Sequence, residues 1–236
     1  MKAKTLSAVV TSKKAVIFDL FHTLTAIETT WGNGLPPTHE MLGVSKEAWS
    51  FQLFQNSRER LTGKTTDPSK IVSEIAWAID PSISPEKIEA AVENRKKRFS
   101  AALTDIPDET INVLKRLKAM KKKIGLISNA DVMEVAAWSQ SPLMPLFDST
   151  VLSCFAGCAK PEKEIYQISL QQMKVAPEES IFVGDGGSNE LEGAKNLGIT
   201  AVMIAGIVRK IYPETIEERM RQADFVIEYL CELFQK

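Results

Sequence analysis

The chain has 236 residues, 44% of them hydrophobic and 25% charged, with a formal net charge of −1. That length suits one sizeable core, or a core with a smaller insert, and the balanced charge offers no global field to nucleic acid or an anionic membrane. No apolar stretch approaches the roughly 18 residues needed to span a bilayer, and the three cysteines, Cys154, Cys158 and Cys231, are too few for a disulfide framework.

The opening "MKAKTLSAVVTSKKA" carries lysines but no proper apolar run, so no signal peptide is expected and the cytoplasm is the expected compartment. The first strand is "AVIF" (15–18), which ends abruptly at Asp19. Residues 28–102 then depart from any strand rhythm. A Gly- and Pro-containing stretch, "TTWGNGLPPT" (29–38), leads into helical segments at about 45–61, 67–79 and 84–103. Ser45 and Ser84 stand at cap positions. Trp49, Trp77, Phe51 and Phe54 are expected to fill the core of this block, and Trp31 to sit at a hinge.

From residue 103 onward, strands and helices alternate. The strands are "KIGLIS" (123–128), "STVLS" (149–153), "SIFVG" (180–184) and "TAVMI" (200–204), short and nearly unalternating, as strands covered on both faces are. Helical patterns lie between them at 108–122, at 160–175 with a proline in the first turn, and at 188–198. Alternation of this kind implies βαβ units in a doubly wound parallel sheet of the α/β class. The expected organisation is a core of residues 1–27 and 103–236, interrupted by a helical insert at 28–102.

In such sheets ligands bind beyond the carboxyl ends of the strands. Four of those ends carry reactive groups: Asp19, then Ser128 with Asn129, then Lys160 in "CAKPE", then Asp185 in "FVGDGGSNE". Singly, each has a plain explanation as a turn, cap or surface residue. Together they make one edge with two carboxylates, a hydroxyl, an amide and an ammonium. Carboxylates suit a hard cation such as Mg²⁺, and the other groups suit phosphate oxygens. The basic runs "NRKKRF" (94–99) and "KRLKAMKKK" (115–123) read as solvated helix faces, and Cys154 with Cys158 as small buried thiols rather than half of a zinc site.

The ordered set "IFDLFHTLT", "GLISNA", "AKPEKEIY" and "FVGDGGSNELEGAKNLGI" resembles the haloacid dehalogenase-like hydrolases over about residues 14–204. The resemblance implies a Rossmann-like sheet with a helical cap inserted after the first strand. It implies Asp19 as nucleophile, with Ser128 and Lys160 holding the transferring group. It implies Mg²⁺ held by Asp19, Asp185 and the backbone carbonyl of Phe21. His22, Thr23 and Asn129 would contact substrate, and Asn189 and Glu190 would lie in an outer acidic cluster, where many relatives have aspartate at the position of Asn189. Glu190 reads equally as a helix N-terminal acid.

One departure matters. The family's phosphomonoesterases usually carry a second aspartate two residues after the nucleophile, to protonate the leaving alkoxide; Phe21 stands there. General acid–base help is worth ~10²–10⁴-fold. The expected activity is Mg²⁺-dependent hydrolysis of small organic phosphates through phospho-Asp19, by a monomer or homodimer. The alternatives are a halogenated or phosphonate substrate, or a binding role without catalysis. His22, where relatives usually have glycine, is either the replacement acid or a brace for the loop. Lys64 is the lysine a phosphonate enzyme would need, or a solvated surface residue.

Overall fold

β-branched side chains are stiff and pack best on a pleated surface, and the runs that carry them enter one sheet. In the computed structural model, which describes residues 5–28 and 34–235, the strands are β1 (Ala15–Phe18), β2 (Lys123–Ser128), β3 (Ser149–Leu152), β4 (Ser180–Gly184), β5 (Thr200–Ile204) and β6 (Phe225–Ile227). All pairings are parallel and the spatial order is β3-β2-β1-β4-β5-β6. The order reverses between β1 and β4, the switch point where open α/β sheets leave a crevice. β6 escapes the sequence reading because it is three residues long and only partly covered.

The helices are α1 (Leu6–Ser12), α2 (Thr38–Leu42), α3 (Lys46–Gln55), α4 (Ser57–Leu61), α5 (Pro68–Ile79), α6 (Pro85–Thr104), α7 (Asp108–Ala119), α8 (Ser153–Ala156), α9 (Lys163–Met173), α10 (Glu190–Asn196), α11 (Val208–Ile211) and α12 (Ile216–Gln222). Ser45 and Ser84 cap α3 and α6 as expected, accepting from the amides of Ala48 at 3.1 Å and Lys87 at 3.4 Å. The segment 45–61 is not one helix: it breaks at Asn56, whose φ of −118° leaves the helical region. Pro161 precedes α9 rather than opening it, because Glu162 is extended.

The period of two along each strand feeds two layers. Val16 and Phe18 of β1 join one core with Val113, Leu114 and Leu117 of α7; Ala15 and Ile17 join the other with Ile165, Leu170 and Met173 of α9. All four β1 side chains are buried, so the strand is covered on both faces. No helix among the described residues is long and apolar enough to cross a membrane.

A third cluster belongs to α2, α3, α5 and α6, built on Leu42, Trp49, Val72, Ala76, Ala91 and Val92, and it receives Met133 from the chain after β2. Here the aromatic expectation needs correction. Trp49 is buried, but Phe51 and Phe54 are 62% and 63% exposed and Trp77 is 45% exposed, with its indole N–H on the Ile83 carbonyl at 3.0 Å. Phe51 lies two residues from Trp49, on the opposite side of the helix. The "NRKKRF" run is also corrected. Helical spacing from Ala91 and Val92 puts Arg95, Arg98 and Phe99 on the inner face, and all three are buried. The stretch around Trp31 lies outside the described residues.

Gly63, just after α4, locks this block against the sheet layer. Its φ is +72°, and a Cβ there would stand 1.9 Å from the Cys154 carbonyl oxygen. Gly63→Ala is expected to cost about 2 kcal/mol or more and lower the melting temperature by roughly 4–8 °C; thermal denaturation would check this, and an unchanged midpoint would contradict the packing.

Candidate active site

Asp19 leaves β1 at the switch point, with its amide on the Val183 carbonyl of β4 at 2.9 Å. Asp185 follows β4 directly. Ser128 ends β2 on the other side, and Lys160 comes from the loop beyond β3. One cavity of about 670 Å³ is lined by Asp19, Phe21, His22, Ser128, Asn129, Lys160, Asp185 and Glu190, with α6 contributing Arg95, Arg98 and Phe99.

At its floor the Lys160 ammonium donates to Asp19 Oδ1 and to Glu190 Oε2. Lys160 is 5% exposed and Asp19 7%. The Thr23 hydroxyl donates to the other Asp19 oxygen at 3.2 Å, and Thr23 does not line the cavity. Asn129 grips the Lys160 backbone at both ends: Nδ2 donates to its carbonyl at 2.9 Å, and Oδ1 accepts from its amide at 2.8 Å. The Ser128 hydroxyl is buried and has no hydrogen-bond partner. Asn189 is exposed, pairs with Gln222 Nε2 at 3.1 Å and does not face the cavity.

The charges are crowded. Burial, with the Asp185 charge added, pushes the Asp19 carboxyl up against the pull of Lys160. Burial also lifts Glu190, with Asp19 and Asp185 adding to it. Burial alone would lower Lys160, but Asp19 and Glu190 outweigh it and hold the ammonium charged. Burial would raise Asp185 as well; the hydrogen bond from His22, the Arg219 charge and the Gly187 amide overcome it and hold the carboxyl at about 2.

A family model described as haloacid dehalogenase-like hydrolase matches residues 13–198. The chain belongs to the haloacid dehalogenase-like hydrolases. It is similar to the glyceraldehyde 3-phosphate phosphatase of Pyrococcus furiosus, 28% identical over 160 residues, which are 66% of this chain and 64% of that one. The chain matches less than two thirds of the length of the curated relatives it first resembles. Among solved structures, a dehalogenase aligns with a TM-score of 0.68 at 21% identity, over 94% of this chain and 96% of its own. The magnesium-bound YfnB hydrolase of Bacillus subtilis aligns at 0.69 and 15%, over 94% and 97%. Those two show a common fold.

The donor set of this hydrolase fits a divalent cation. Oxygens of Asp19, Asp185 and Glu190 lie within 4.8 Å of one another; hard carboxylate oxygens are what Mg²⁺ takes, and a cation would relieve the crowding that raises Asp19 and Glu190. Cys154 and Cys158 are buried free thiols outside any such cluster among the described residues. Gly184 makes room for this arrangement, since a Cβ there would fall 2.1 Å from Glu190 Oε1.

Among the cavity-lining residues that sequence reading missed are Glu28, Arg98 and Arg219. Arg219 of α12 donates to Asp185 Oδ2 at 2.8 Å, and nothing in "EERMRQ" signals it. His22 has a left-handed φ of 61°, which explains why glycine suits the position. Its Nε2 meets Glu28 Oε2 at 3.0 Å and its Nδ1 meets Asp185 Oδ2 at 3.5 Å. Burial pulls His22 down, but the hydrogen bonds to Asp185 and Glu28 outweigh it and carry the ring up to about 10. A folded value above the unfolded one stabilises the fold fully below about pH 6.5 and loses that contribution as pH rises through about 10. In metal-free buffer, the stability advantage of wild type over His22→Asn is therefore expected to shrink from pH 6.5 to 10. A difference in melting temperature that ignores pH would show that the ring is neutral.

Proposed function

We propose that this hydrolase cleaves small organic phosphates with Mg²⁺, by way of a phosphoryl group carried on Asp19. The state of Asp19 carries the reading: a buried carboxylate, held by the Lys160 ammonium on one oxygen and the Thr23 hydroxyl on the other, in the cavity that also holds the unpartnered Ser128 hydroxyl. Ammonium and hydroxyl are the donors that the oxygens of a transferring phosphoryl group require. The phosphatase names of the curated relatives support a phosphate ester as substrate.

Asp19 attacks phosphorus, an Asp19 O–P bond forms as the ester P–O bond breaks, and water then releases phosphate and restores the carboxylate. Lys160 and Ser128 hold the equatorial oxygens throughout. Asn129 sets the Lys160 backbone, and Glu190 holds the ammonium on its far side. Mg²⁺ held by Asp19 and Asp185, with the Phe21 carbonyl as the further ligand that the family resemblance implies, would supply the positive charge that lets an anionic nucleophile meet an anionic substrate.

The departing oxygen receives no proton from Phe21, whose ring packs edge-on against Phe99 at 5.3 Å between centroids. Both His22 nitrogens are engaged by carboxylates, which supports the brace rather than the acid. Good leaving groups are therefore favoured. Lys64 is exposed and off the cavity wall, so it gives no support to a Schiff-base route to phosphonates. Retention of Asp185 speaks for phosphorus chemistry over halide.

With p-nitrophenyl phosphate and acetyl phosphate, turnover is expected in Mg²⁺, suppressed by EDTA and lost in Asp19→Asn. Absence of turnover under all conditions would overturn the reading. Phe21→Asp restores an acid and is expected to raise the ratio of alkyl phosphate to p-nitrophenyl phosphate turnover by ~10²-fold; steady-state kinetics on the two substrates checks it, and a ratio that stays flat would mean the leaving group is protonated elsewhere.

A further inference from the structure

Three arginines of the helical block reach the cavity that holds Asp19. Two of them are spoken for. Arg60 Nη1 donates to Asp131 Oδ2 at 3.1 Å, and Arg95 Nη2 is hydrogen-bonded to Glu134 Oε1. Arg98 is different. It is 5% exposed, its Nε is shut off from solvent without a partner, and among the described residues no hydrogen bond or ion pair engages its guanidinium. Glu28 and Glu40 attract it only through space, and Glu28 is already bonded to His22. Burial and the like charge of Arg95 bring its pKa down to about 10, which still leaves it charged at neutral pH.

A buried cation without a partner is costly. A guanidinium offers five N–H donors in a planar fork, the geometry that a carboxylate or phosphate accepts in pairs. Held on the wall of a reaction cavity, that fork lacks only an anion. The reacting phosphoryl group has its own donors at the floor, Lys160 and Ser128, so the anion that meets Arg98 is a second one. About 670 Å³ is ample for a small molecule with a charge at each end.

We propose that Arg98 binds a second anionic group, carboxylate or phosphate, on the substrate whose phosphoryl group reacts at Asp19, making this enzyme selective for small two-anion phosphate esters. This rests on the phosphohydrolase reading above. Arg98 is thus a specificity group, separate from the Lys160 and Ser128 donors that hold the reacting phosphoryl group.

The test is calorimetric titration of the 236-residue chain in Mg²⁺ with three unreactive ligands: ethylphosphonate, phosphonoacetate and ethylene-1,2-bisphosphonate. At least one two-anion ligand is expected to bind about 10-fold or more tightly than ethylphosphonate, the worth of a charge-assisted contact. The larger gain tells whether the second anion is a carboxylate or a phosphate. Arg98→Met should erase that advantage, and Arg98→Lys should keep part of it. Because Arg98→Met leaves no partner unpaired, its melting temperature is expected to match or exceed wild type. Equal affinities in wild type, or an advantage that survives Arg98→Met, would overturn the inference; the wild-type comparison decides alone if the methionine variant does not fold. The two readings fail separately. Hydrolysis of p-nitrophenyl phosphate without a two-anion advantage removes the role of Arg98 only. A two-anion advantage without hydrolysis keeps Arg98 as a binding group and removes the phosphohydrolase.

Discussion

The Lys160 ammonium, buried between Asp19 and Glu190, is the interaction on which the rest of the structure depends. Taking three such charges out of water is tolerable only if each finds a partner, and the surrounding chain is shaped to keep those partners in place. Asn129 clamps the Lys160 backbone. Tyr166 donates to the Glu190 carbonyl at 2.7 Å. Gly193 lets α10 approach the loop closely, since a Cβ there would come within 2.8 Å of the Pro161 carbonyl oxygen. The sheet order then does the remaining placement: β1 and β4 are neighbours at the reversal, so Asp19 and Asp185 must share one crevice.

The helical block is tied to that crevice by charge as well as by packing. Arg60 and Arg95 meet Asp131 and Glu134, while Met133, between those two acids in sequence, enters the apolar cluster of the block. Asp131 Oδ1 also accepts from the amides of Met133 and Glu134, so local backbone bonds hold this acid in place as well as the arginines do. α6 serves both layers: Ile88, Ala91 and Val92 belong to the block and Leu103 to the sheet core. A single rigid helix thus sets where Arg98 and Phe99 stand above Asp19.

Phe21 belongs to the same packing. Its ring rests on Phe99, which in turn lies under the Arg95 guanidinium at 4.6 Å. An aromatic column occupies this position, where the family resemblance implies a carboxyl group. The backbone turn around it is closed by the His22 amide donating to the Thr25 carbonyl and the Leu24 amide donating to the Leu20 carbonyl. The Phe21 side chain is therefore an apolar wall of the cavity and offers no proton.

Strand-forming runs and their order along the chain were legible in the sequence because a strand buried on both faces must be apolar at nearly every position. Asp19, Ser128, Lys160 and Asp185 were legible as a set for the same reason: each ends or follows such a run, and parallel strands bring those ends to one edge. Arg98, Arg219 and Glu28 were not. Each lies in a polar helix or loop where charged residues are ordinary, and only the packing of α6 and α12 over the crevice turns them inward. The exposure of Phe51 and Phe54 and the burial of Arg95 and Arg98 have one cause, the face a helix presents once its neighbours are in place. Composition and periodicity determined the five covered strands and the edge at which their reactive groups gather; tertiary structure alone decided which charges meet there, because pairing depends on distances between segments far apart in the chain.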